Sequence, residues 1–164
     1  MTIESITQEL VQHLFDYRDG ELYWRVKPSN KVRIHIGQKA GTLNIRGYFS
    51  TKINRKLYFN HRLIFLMHYG YLPDYLDHID GNRVNNKVEN LREATLSQNQ
   101  HNRKLSKNNT SGVKGVSWQK NKWRVQIRVN DKLKSFGSYN DLELAEIVAQ
   151  EVRTKYHGAF ANHG

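Results

Sequence analysis

An acidic residue and a histidine stand side by side at Asp77–His78, shortly before a glycine turn at Asp80–Gly81. A histidine titrates near neutral pH, so its neutral ring can accept a proton from water. Carboxylate and amide oxygens are ligands that suit hard cations such as Mg²⁺ or Mn²⁺. Hydrolysis of a phosphodiester needs both components, because the base activates water and the cation stabilises the charged phosphate.

Asparagines are concentrated after this pair, and three of them, Asn82, Asn85 and Asn86, are interpreted as turn formers. Asparagine tolerates left-handed backbone geometry and bonds to neighbouring backbone groups, which suits a turn better than the interior of a helix. The glycine turn predicts a hairpin between a strand over 75–79 and a strand that ends near Ala94.

A helix is predicted directly after this hairpin. Thr95 is a favourable N-cap, and the helix is expected to run to about Lys104. Asn99 then lies on the helix, while Asp77 and His78 lie at the end of the first strand. The sequence therefore predicts a β–β–α unit that carries all three side chains.

The composition indicates a polyanionic partner. The chain has 164 residues, with 26 Lys and Arg against 15 Asp and Glu, a formal net charge of +11 and a pI near 9.9. Such a charge favours nucleic acid, and the alternative is a basic protein without an acidic ligand. Eleven basic residues lie between Arg18 and Arg62 and eight between Lys107 and Lys134, on either side of an acidic stretch at 74–93.

Several classes of protein are excluded by what the sequence lacks. Without cysteine there is no disulfide, no thiolate zinc site and no cysteine nucleophile. No apolar run reaches the roughly 18 residues of a membrane span. The N-terminus, MTIESITQEL, has neither the basic nor the apolar segment of a secretory signal. We therefore expect an intracellular protein without a membrane partner.

The region before the Asp–His pair is predicted to mix helices and strands. Ser5 and Gln8 form a capping-box pattern, which predicts a short first helix. A hairpin is expected to turn at Asp19–Gly20, and a second pair of short strands at Asn54–Arg55. The dense apolar run NHRLIFLMHY predicts a buried helix that stops at the glycine after it.

The C-terminal third is predicted to form a three-stranded antiparallel sheet covered by one helix. Strands are expected over 113–120, 122–129 and 132–139, followed by a helix capped by Asn140 and Glu143. Apolar and polar residues alternate along the middle strand, so the two kinds face opposite sides of the sheet. The expected apolar stripe of the helix consists of Ala145, Val148, Ala149, Val152 and Tyr156.

Residues 105–112 are predicted to be a basic linker between an N-terminal region, 1–104, and a C-terminal domain, 113–164. The alternative for this segment is a solvated connector without a ligand. The N-terminal region is expected to fold without borrowing core residues from the C-terminal domain. Three basic residues in or near the linker are expected to lie along a phosphate backbone: Arg103, Lys104 and Lys107.

The segment LDHIDGNRVNNKVENLREATLSQN resembles the ββα-metal motif of HNH nucleases of the phage homing-endonuclease type. The resemblance, over 75–104, implies that His78 is the general base. It implies that Asn90 steadies the hairpin and orients that base. It also implies that Asp77 and Asn99 bind a divalent metal ion, Mg²⁺ or Mn²⁺.

Three further histidines, His61, His68 and His101, are interpreted as packing or phosphate contacts rather than metal ligands. His61 begins an HRL segment of the kind that often precedes the motif in HNH nucleases. The resemblance therefore implies that His61 supports the site.

The segment SGVKGVSWQKNKWRVQIRVNDKLKSFGSY and the helix after it are similar to the ethylene-response-factor type of DNA-binding domain, which also occurs in phage HNH nucleases. That family reads the major groove of double-stranded DNA with a three-stranded sheet. Several arginines of the family are replaced here, so the resemblance does not imply a target sequence. The residues at its DNA-contact positions or on the same face are Lys114, Ser117, Gln119, Arg124, Gln126 and Arg128.

The sequence as a whole predicts an α+β protein, with the ββα motif in an N-terminal α+β region and a sheet-plus-helix domain after it. The expected activity is that of a metal-dependent endonuclease that acts as a monomer and nicks double-stranded DNA at a recognised site. Two alternatives stay open. One is a DNA-binding regulator that uses the hairpin only as a scaffold, and the other is a nuclease indifferent to sequence.

Overall fold

A computed structural model describes residues 6–28, 33–102 and 105–164. The chain divides into two compact units, Met1–Glu93 and Ala94–Gly164. The domain bounds expected from the sequence, with a linker after residue 104, remain a prediction. Three residues singled out from the sequence lie outside the described residues: Ser5, Arg103 and Lys104.

The first helix, α1 (Gln8–Leu14), begins after Thr7. The hydroxyl of Thr7 accepts a hydrogen bond from the N–H of Leu10 at 3.3 Å, which satisfies one of the unpaired donors of the first turn. The N-cap is therefore Thr7, and the expectation that Ser5 caps this helix is wrong. The apolar side of α1 packs into the core of the first unit.

The first hairpin pairs β1 (Phe15–Arg18) with β2 (Glu21–Trp24) in antiparallel register. Asp19 and Gly20 at its turn have φ angles of 46° and 89°. Two successive left-handed residues match the twist of paired strands, which is why a pair such as Asp–Gly is favoured there. The predicted turn is confirmed.

A second small sheet has the order β3 (Thr42–Leu43), β4 (Phe49–Ile53) and β5 (Lys56–Phe59). The predicted turn between β4 and β5 is confirmed, and both of its central residues, Asn54 and Arg55, have positive φ angles. The short edge strand β3 was not predicted from the sequence.

The helix α2 (Asn60–Tyr69) ends at Gly70, as predicted. Gly70 has a φ of 79° and its N–H caps the last turn, a left-handed position that favours glycine. Both polar atoms of the buried Asn60 amide are hydrogen-bonded. Its oxygen accepts from the Thr51 hydroxyl, and its nitrogen donates to the Ala40 carbonyl. The helix therefore begins with a fixed orientation relative to β4.

A two-stranded sheet pairs β6 (Tyr75–His78) with β7 (Leu91–Ala94). Between them the chain makes a turn and one 3-10 turn over Val88–Asn90. The N–H of Ile79 donates to the carbonyl of Asn90 at 2.9 Å, which closes the loop at its base. The hairpin predicted from the glycine turn is confirmed.

The core of the first unit holds both strands of this hairpin in place. Leu76 of β6 and Leu91 of β7 are buried in the same apolar cluster as α1, β1, β2 and α2. Burial of one such side chain contributes about 1.5–3 kcal/mol. The strand that ends at His78 is therefore anchored directly before the predicted base.

The second unit opens with α3 (Leu96–His101). Thr95 and Gln98 form a capping box, in which each side chain accepts a hydrogen bond from the backbone N–H of the other, at 3.2 and 2.8 Å. The predicted N-cap is confirmed. The helix ends at His101, earlier than the expected end near Lys104.

Contacts within the second unit tie α3 to the C-terminal part of the chain. The ammonium group of Lys114 donates to the carbonyl of His101 at 2.9 Å. The side chain of Asn162 donates to the carbonyl of Asn102 at 2.9 Å. Both bonds come from residues of the predicted C-terminal domain, and the expectation that the N-terminal region borrows no core residues from that domain stays a prediction.

The predicted C-terminal sheet is confirmed, with the antiparallel order β10 (Lys132–Tyr139), β9 (Lys122–Val129) and β8 (Val116–Gln119). Val125 and Ile127 on β9 are buried, whereas Arg128 is exposed. The alternation predicted from the sequence therefore separates an apolar face from a polar face.

The last helix, α4 (Leu142–His157), packs on the apolar face of the sheet. Its N-cap is Asp141, whose carboxylate accepts from the N–H of Glu143 at 3.0 Å. The expectation that Asn140 occupies the N-cap is wrong by one residue. Both residues are good caps, so local sequence does not distinguish them.

The buried side of α4 differs in one position from the predicted stripe. Ala145 and Ala149 are fully buried as expected, but Tyr156 is 44 % exposed. The third residue of the buried row is Arg153, which is 2 % exposed. A charged side chain thus lies in the buried row with Ala145 and Ala149, at a position outside the predicted stripe.

Helices and strands are mixed in the first unit, and a helix covers an antiparallel sheet in the second. The predicted α+β class is confirmed. Among the described residues, no helix combines the length and the apolar character that crossing a bilayer requires.

Candidate active site

His78 is the last residue of β6, and only 5 % of its surface is exposed. Its Nε2 lies 2.9 Å from Oδ1 of Asn86. An amide oxygen can only accept a hydrogen bond, so the proton of the neutral imidazole lies on Nε2. The lone pair of the ring then lies on Nδ1, which is the atom that can take a proton from water.

Burial lowers the pKa of His78 below its usual value, because the charged ring would lose its hydration. The hydrogen bond to Asn86 and the carboxylates of Asp80 and Asp77 oppose this effect without reversing it. His78 is therefore neutral at physiological pH. A neutral, oriented histidine is the form that a general base requires.

A second histidine, His61, packs edge-on against His78, with ring centroids 5.1 Å apart and planes at 62°. The rings of Tyr48 and Phe59 also pack against His61, with centroids 5.2 and 5.5 Å from the centroid of the His61 ring. Burial lowers the pKa of His61 to about 3, and the charges of His78 and Arg62 add to the shift. Its buried Nδ1 has no hydrogen-bond partner among the described residues.

A network of side chains closes the loop between β6 and β7. The Asn90 amide donates to Asp80 Oδ1 at 3.0 Å and to the Asn85 carbonyl at 2.8 Å, and accepts from the Asp80 N–H at 3.1 Å. Burial opposes ionisation of Asp80, but hydrogen bonds from the loop asparagines outweigh it and lower the pKa of this carboxyl. Asn90 thus steadies the hairpin, while the amide that contacts the base belongs to Asn86.

The buried carboxylate of Asp77 is paired with Arg92 of β7. The Nε and Nη2 atoms of Arg92 lie 3.0 and 2.9 Å from the same oxygen of Asp77, Oδ2. A buried carboxylate needs such a partner, because removing its hydration is costly. The predicted metal ligand therefore stands beside a positive charge that the sequence analysis did not identify.

The residues predicted to bind metal fit a hard cation that retains other ligands. No group of three His, Asp or Glu side chains in the described part of the chain could hold a metal ion. The predicted set is one carboxylate, Asp77, and one amide, Asn99. Mg²⁺ is commonly bound by one or two carboxylates together with waters and substrate phosphates. These two oxygen donors fit that chemistry and do not fit a preformed structural zinc site.

Asn99 lies on α3, as predicted, and is half-buried. Its N–H donates to the carbonyl of Thr95 at 3.0 Å, in the regular pattern of a helix. It belongs to the second unit, whereas Asp77, His78 and Asn90 belong to the first. The metal-binding role of Asn99 remains a prediction.

Most of the predicted DNA contacts share the polar face of the C-terminal sheet. Arg124, Gln126 and Arg128 alternate with buried residues along β9. Ser117 of β8 is paired with Arg124 of β9, and Arg124 donates to the side chain of Gln119 at 3.2 Å. The sheet brings these five side chains together, and their contact with DNA remains a prediction.

The other predicted DNA contacts precede β8 in the sequence. Lys114 precedes β8, is half-buried, and donates to the carbonyl of His101. Lys107 is exposed. Arg103 and Lys104 are outside the described residues.

Comparison with known proteins identifies relatives for a large part of the chain. The HNH endonuclease family matches residues 58–101, which run from β5 through α3. Protein 3.8 of Escherichia phage T7 is 44% identical over 91 residues, an alignment that covers 53% of this chain and 73% of the phage protein. The chain belongs to the family of this phage protein. No solved structure matches the chain.

The matched HNH domain contains the predicted base, Asn90 and both predicted metal ligands. The resemblance of residues 75–104 to HNH nucleases is thus confirmed at the level of the family. Neither the HNH match nor Protein 3.8 gives evidence for the ethylene-response-factor type of domain, so that resemblance stays a prediction.

Two side chains that touch predicted site residues were missed by sequence reasoning. Asn86 contacts His78, and Arg92 contacts Asp77. Asn86 was interpreted as a turn former, because nothing in the local pattern distinguishes it from its asparagine neighbours. Arg92 carried a usable signal, since opposite charges on paired strands often interact. It contacts Asp77 of the partner strand.

Proposed function

We propose that the chain is a metal-dependent endonuclease that hydrolyses phosphodiester bonds in double-stranded DNA. The observation that carries the proposal is the contact between Asn86 Oδ1 and His78 Nε2, because it directs the lone pair of a neutral ring to Nδ1. The HNH endonuclease match over residues 58–101 supports the same class of reaction. The net charge of +11 supports DNA as the partner.

In the proposed reaction, Nδ1 of His78 takes a proton from water while the water oxygen attacks phosphorus. A new P–O bond forms, the P–O bond to the leaving sugar oxygen breaks, and solvent protonates that oxygen. Asn86 accepts the Nε2–H bond before and after this transfer, and the bond strengthens when the ring becomes charged. One positioned base typically contributes about 10²–10⁴-fold to the rate.

We assign the cation site of the proposed enzyme to Asp77 and Asn99. A bound Mg²⁺ or Mn²⁺ would supply positive charge at the scissile phosphate. Arg92 balances the charge of Asp77 through the pair at Oδ2. With only two protein ligands, we expect strong metal binding only when a DNA phosphate completes the coordination.

The C-terminal sheet is proposed to read the DNA in the manner of an ethylene-response-factor domain. Its polar face carries two arginines, Arg124 and Arg128, that can pair with guanine edges or phosphates. The amide of Gln126 lies between them along β9 and can pair with adenine. This face supports sequence-specific cutting over cutting that is indifferent to sequence.

The second candidate function is a DNA-binding regulator that uses the hairpin as a scaffold. The basic charge and the polar sheet face serve that function equally well. A buried histidine with a fixed tautomer is not needed by a scaffold, and this observation favours the nuclease.

We further propose that the enzyme acts as a monomer and nicks one strand. The chain carries one Asp77–His78 pair, and one base with one cation supports attack on one strand at a time. Because Protein 3.8 belongs to phage T7, the proposed place of action is a phage-infected bacterial cell.

Incubation of supercoiled plasmid that contains a cleavable site tests this function. We expect open circles to appear first with Mg²⁺ or Mn²⁺ and no cutting with EDTA. DNA binding without cutting at any metal concentration would favour the regulator. Linear product at the earliest times, at a rate that rises with the square of enzyme concentration, would contradict the nicking monomer. Sequencing of the ends cut from a random DNA library separates a specific enzyme from an indifferent one.

A further inference from the structure

The second unit contains a cavity of about 220 Å³ on the side of the sheet that carries α4. None of the described residues that line it is an Asp or a Glu. The residues that line it and carry or can carry a positive charge are His101, Lys114, Arg128, Arg153 and His157, and Arg128 turns its backbone carbonyl toward His157.

Arg153 brings a buried guanidinium to this cavity. It is 2 % exposed, and its Nη1 donates to the carbonyl of Lys114. Its Nη2 is buried and has no hydrogen-bond partner among the described residues. A buried charged donor without an acceptor is costly, so this atom calls for a partner that the described protein atoms do not supply.

A glycine keeps the space in front of this guanidinium open. Gly115 has a φ of 77°, and a Cβ there would lie 3.0 Å from the carbonyl oxygen of Gln126 and 3.7 Å from Nη1 of Arg153. A larger residue would be strained and would crowd the cavity wall.

His157 supplies a second unsatisfied atom. Its Nε2 lies 2.8 Å from the carbonyl oxygen of Arg128, so the proton of the neutral ring lies on Nε2. Its Nδ1 is buried and has no partner among the described residues. The ring is stacked on His101, with centroids 3.7 Å apart and planes at 5°. An anion in the cavity would accept a bond from Nδ1 of the protonated ring.

Positive charges are crowded around this cavity. Burial lowers the pKa of Lys114 to about 8, and the charge of Arg153 adds to the shift. Burial and the neighbouring His157 also lower the pKa of His101. Two carboxylates outside the lining act in the opposite direction. The charge of Asp131 raises the pKa of His101, and the charge of Glu146 raises the pKa of Arg153, without reversing either shift.

We propose that this cavity is a phosphate-binding site, with Lys114, Arg153 and His157 as its donors. Phosphate offers several acceptor oxygens with negative charge, which suits the unsatisfied Arg153 donor, the neighbouring lysine and a protonated His157 that donates from Nδ1. The phosphate comes either from a DNA backbone or from free inorganic phosphate. The DNA source rests on the proposed function, whereas the binding chemistry does not.

Titration of the full-length chain with inorganic phosphate, at constant ionic strength and in EDTA, tests the site. Lys114→Gln and His157→Gln each remove one proposed donor from the cavity and leave the buried Arg153 in place. Lys155→Gln is the matched control, because it removes one charge from an exposed residue of the same helix. We expect saturable binding, weakened at least about tenfold by either cavity variant and little changed by the control.

A second titration with a short DNA duplex in EDTA identifies the source of the phosphate. If the cavity holds a DNA phosphate, the slope of log K against log salt falls by about 0.9 in Lys114→Gln, and inorganic phosphate competes with DNA. If the cavity holds free phosphate, Lys114→Gln and Lys155→Gln bind DNA with equal salt slopes. In the first titration, Lys114→Gln still binds inorganic phosphate more weakly than Lys155→Gln.

Two results separate this inference from the proposed function. Absence of saturable phosphate binding by the unaltered chain, or equal weakening by all three variants, overturns the cavity even if the protein cuts DNA. Phosphate binding that depends on Lys114 and His157 upholds the cavity even if the protein cuts no DNA.

Discussion

The amide oxygen of Asn86 lies 2.9 Å from Nε2 of His78, and both side chains are buried. The contact determines the tautomer of the histidine, because the amide oxygen accepts and cannot donate. It depends on the loop network around Asp80, since Asn86 follows the residues that this network fixes. The loop therefore orients the base, and the strand anchors it.

Replacement of the orienting amide is expected to slow cleavage and shift its pH dependence. We expect Asn86→Ala to reduce single-turnover cleavage by roughly 10–100-fold, as when a group that orients a working histidine is removed. The hydrogen bond to Asn86 raises the pKa of His78, so its loss lowers that pKa further. The acid limb of the pH–rate profile should therefore move to lower pH. Asn82→Ala, in the same loop, is the control, and an unmoved limb in Asn86→Ala would contradict the assignment.

The buried His61 is expected to make the fold sensitive to acid. Its pKa is lowered from 6.5 to about 3, so the unfolded chain binds a proton more readily between these values. Stability present above pH 6.5 is then lost as the pH falls toward 3. From pH 7 to pH 5 we expect the free energy of unfolding of the native chain to fall by about 2 kcal/mol more than that of His61→Phe. Urea denaturation of both proteins measures this, and equal losses would contradict it.

The two proposed metal ligands are expected to respond differently to added metal. Asn99→Ala leaves the carboxylate in place, so a higher concentration of Mg²⁺ or Mn²⁺ should restore part of its cleavage. Asp77→Asn removes the charge that attracts the cation while retaining an oxygen near Arg92, and we expect no such recovery. Asp74→Ala, which removes an exposed carboxylate nearby, is the control. Cleavage by the unaltered chain that persists in EDTA would refute the metal requirement.

The sequence predicted those elements whose signals are local. Asp19–Gly20 and Asn54–Arg55 lie at turns that need positive φ angles, Gly70 ends α2, and Thr95 caps α3. Each of these positions is decided by the conformational preference of the residue itself. Such preferences can be read without knowing the rest of the fold.

The contacts missed from the sequence depend on tertiary packing. Three asparagines near the turn are equivalent as turn formers, and only the path of the loop brings Asn86 to His78. Arg153 interrupts an apolar stripe and would be expected on the surface, yet its guanidinium reaches the carbonyl of Lys114. Long side chains can place a charge far from their own backbone, so helical periodicity alone does not locate it.

Truncation after residue 106 is expected to separate folding from activity. The first unit, with its own core, should remain folded in the fragment. The fragment lacks Lys114 and Asn162, both of which bond to the end of α3, so the helix that carries Asn99 should lose its order. We expect protected amides in the first unit by hydrogen exchange but no cleavage. A cleaving fragment would show that α3 holds its position without these contacts.

The rate at which His78→Ala cleaves bound DNA tests the central claim most directly. Single-turnover cleavage, measured with enzyme in excess and saturating Mg²⁺, isolates the chemical step in which the base acts. We predict a loss of at least about 10²–10⁴-fold relative to the unaltered chain, with DNA affinity changed little. Cleavage at the unaltered rate would contradict the assignment of His78 as the general base.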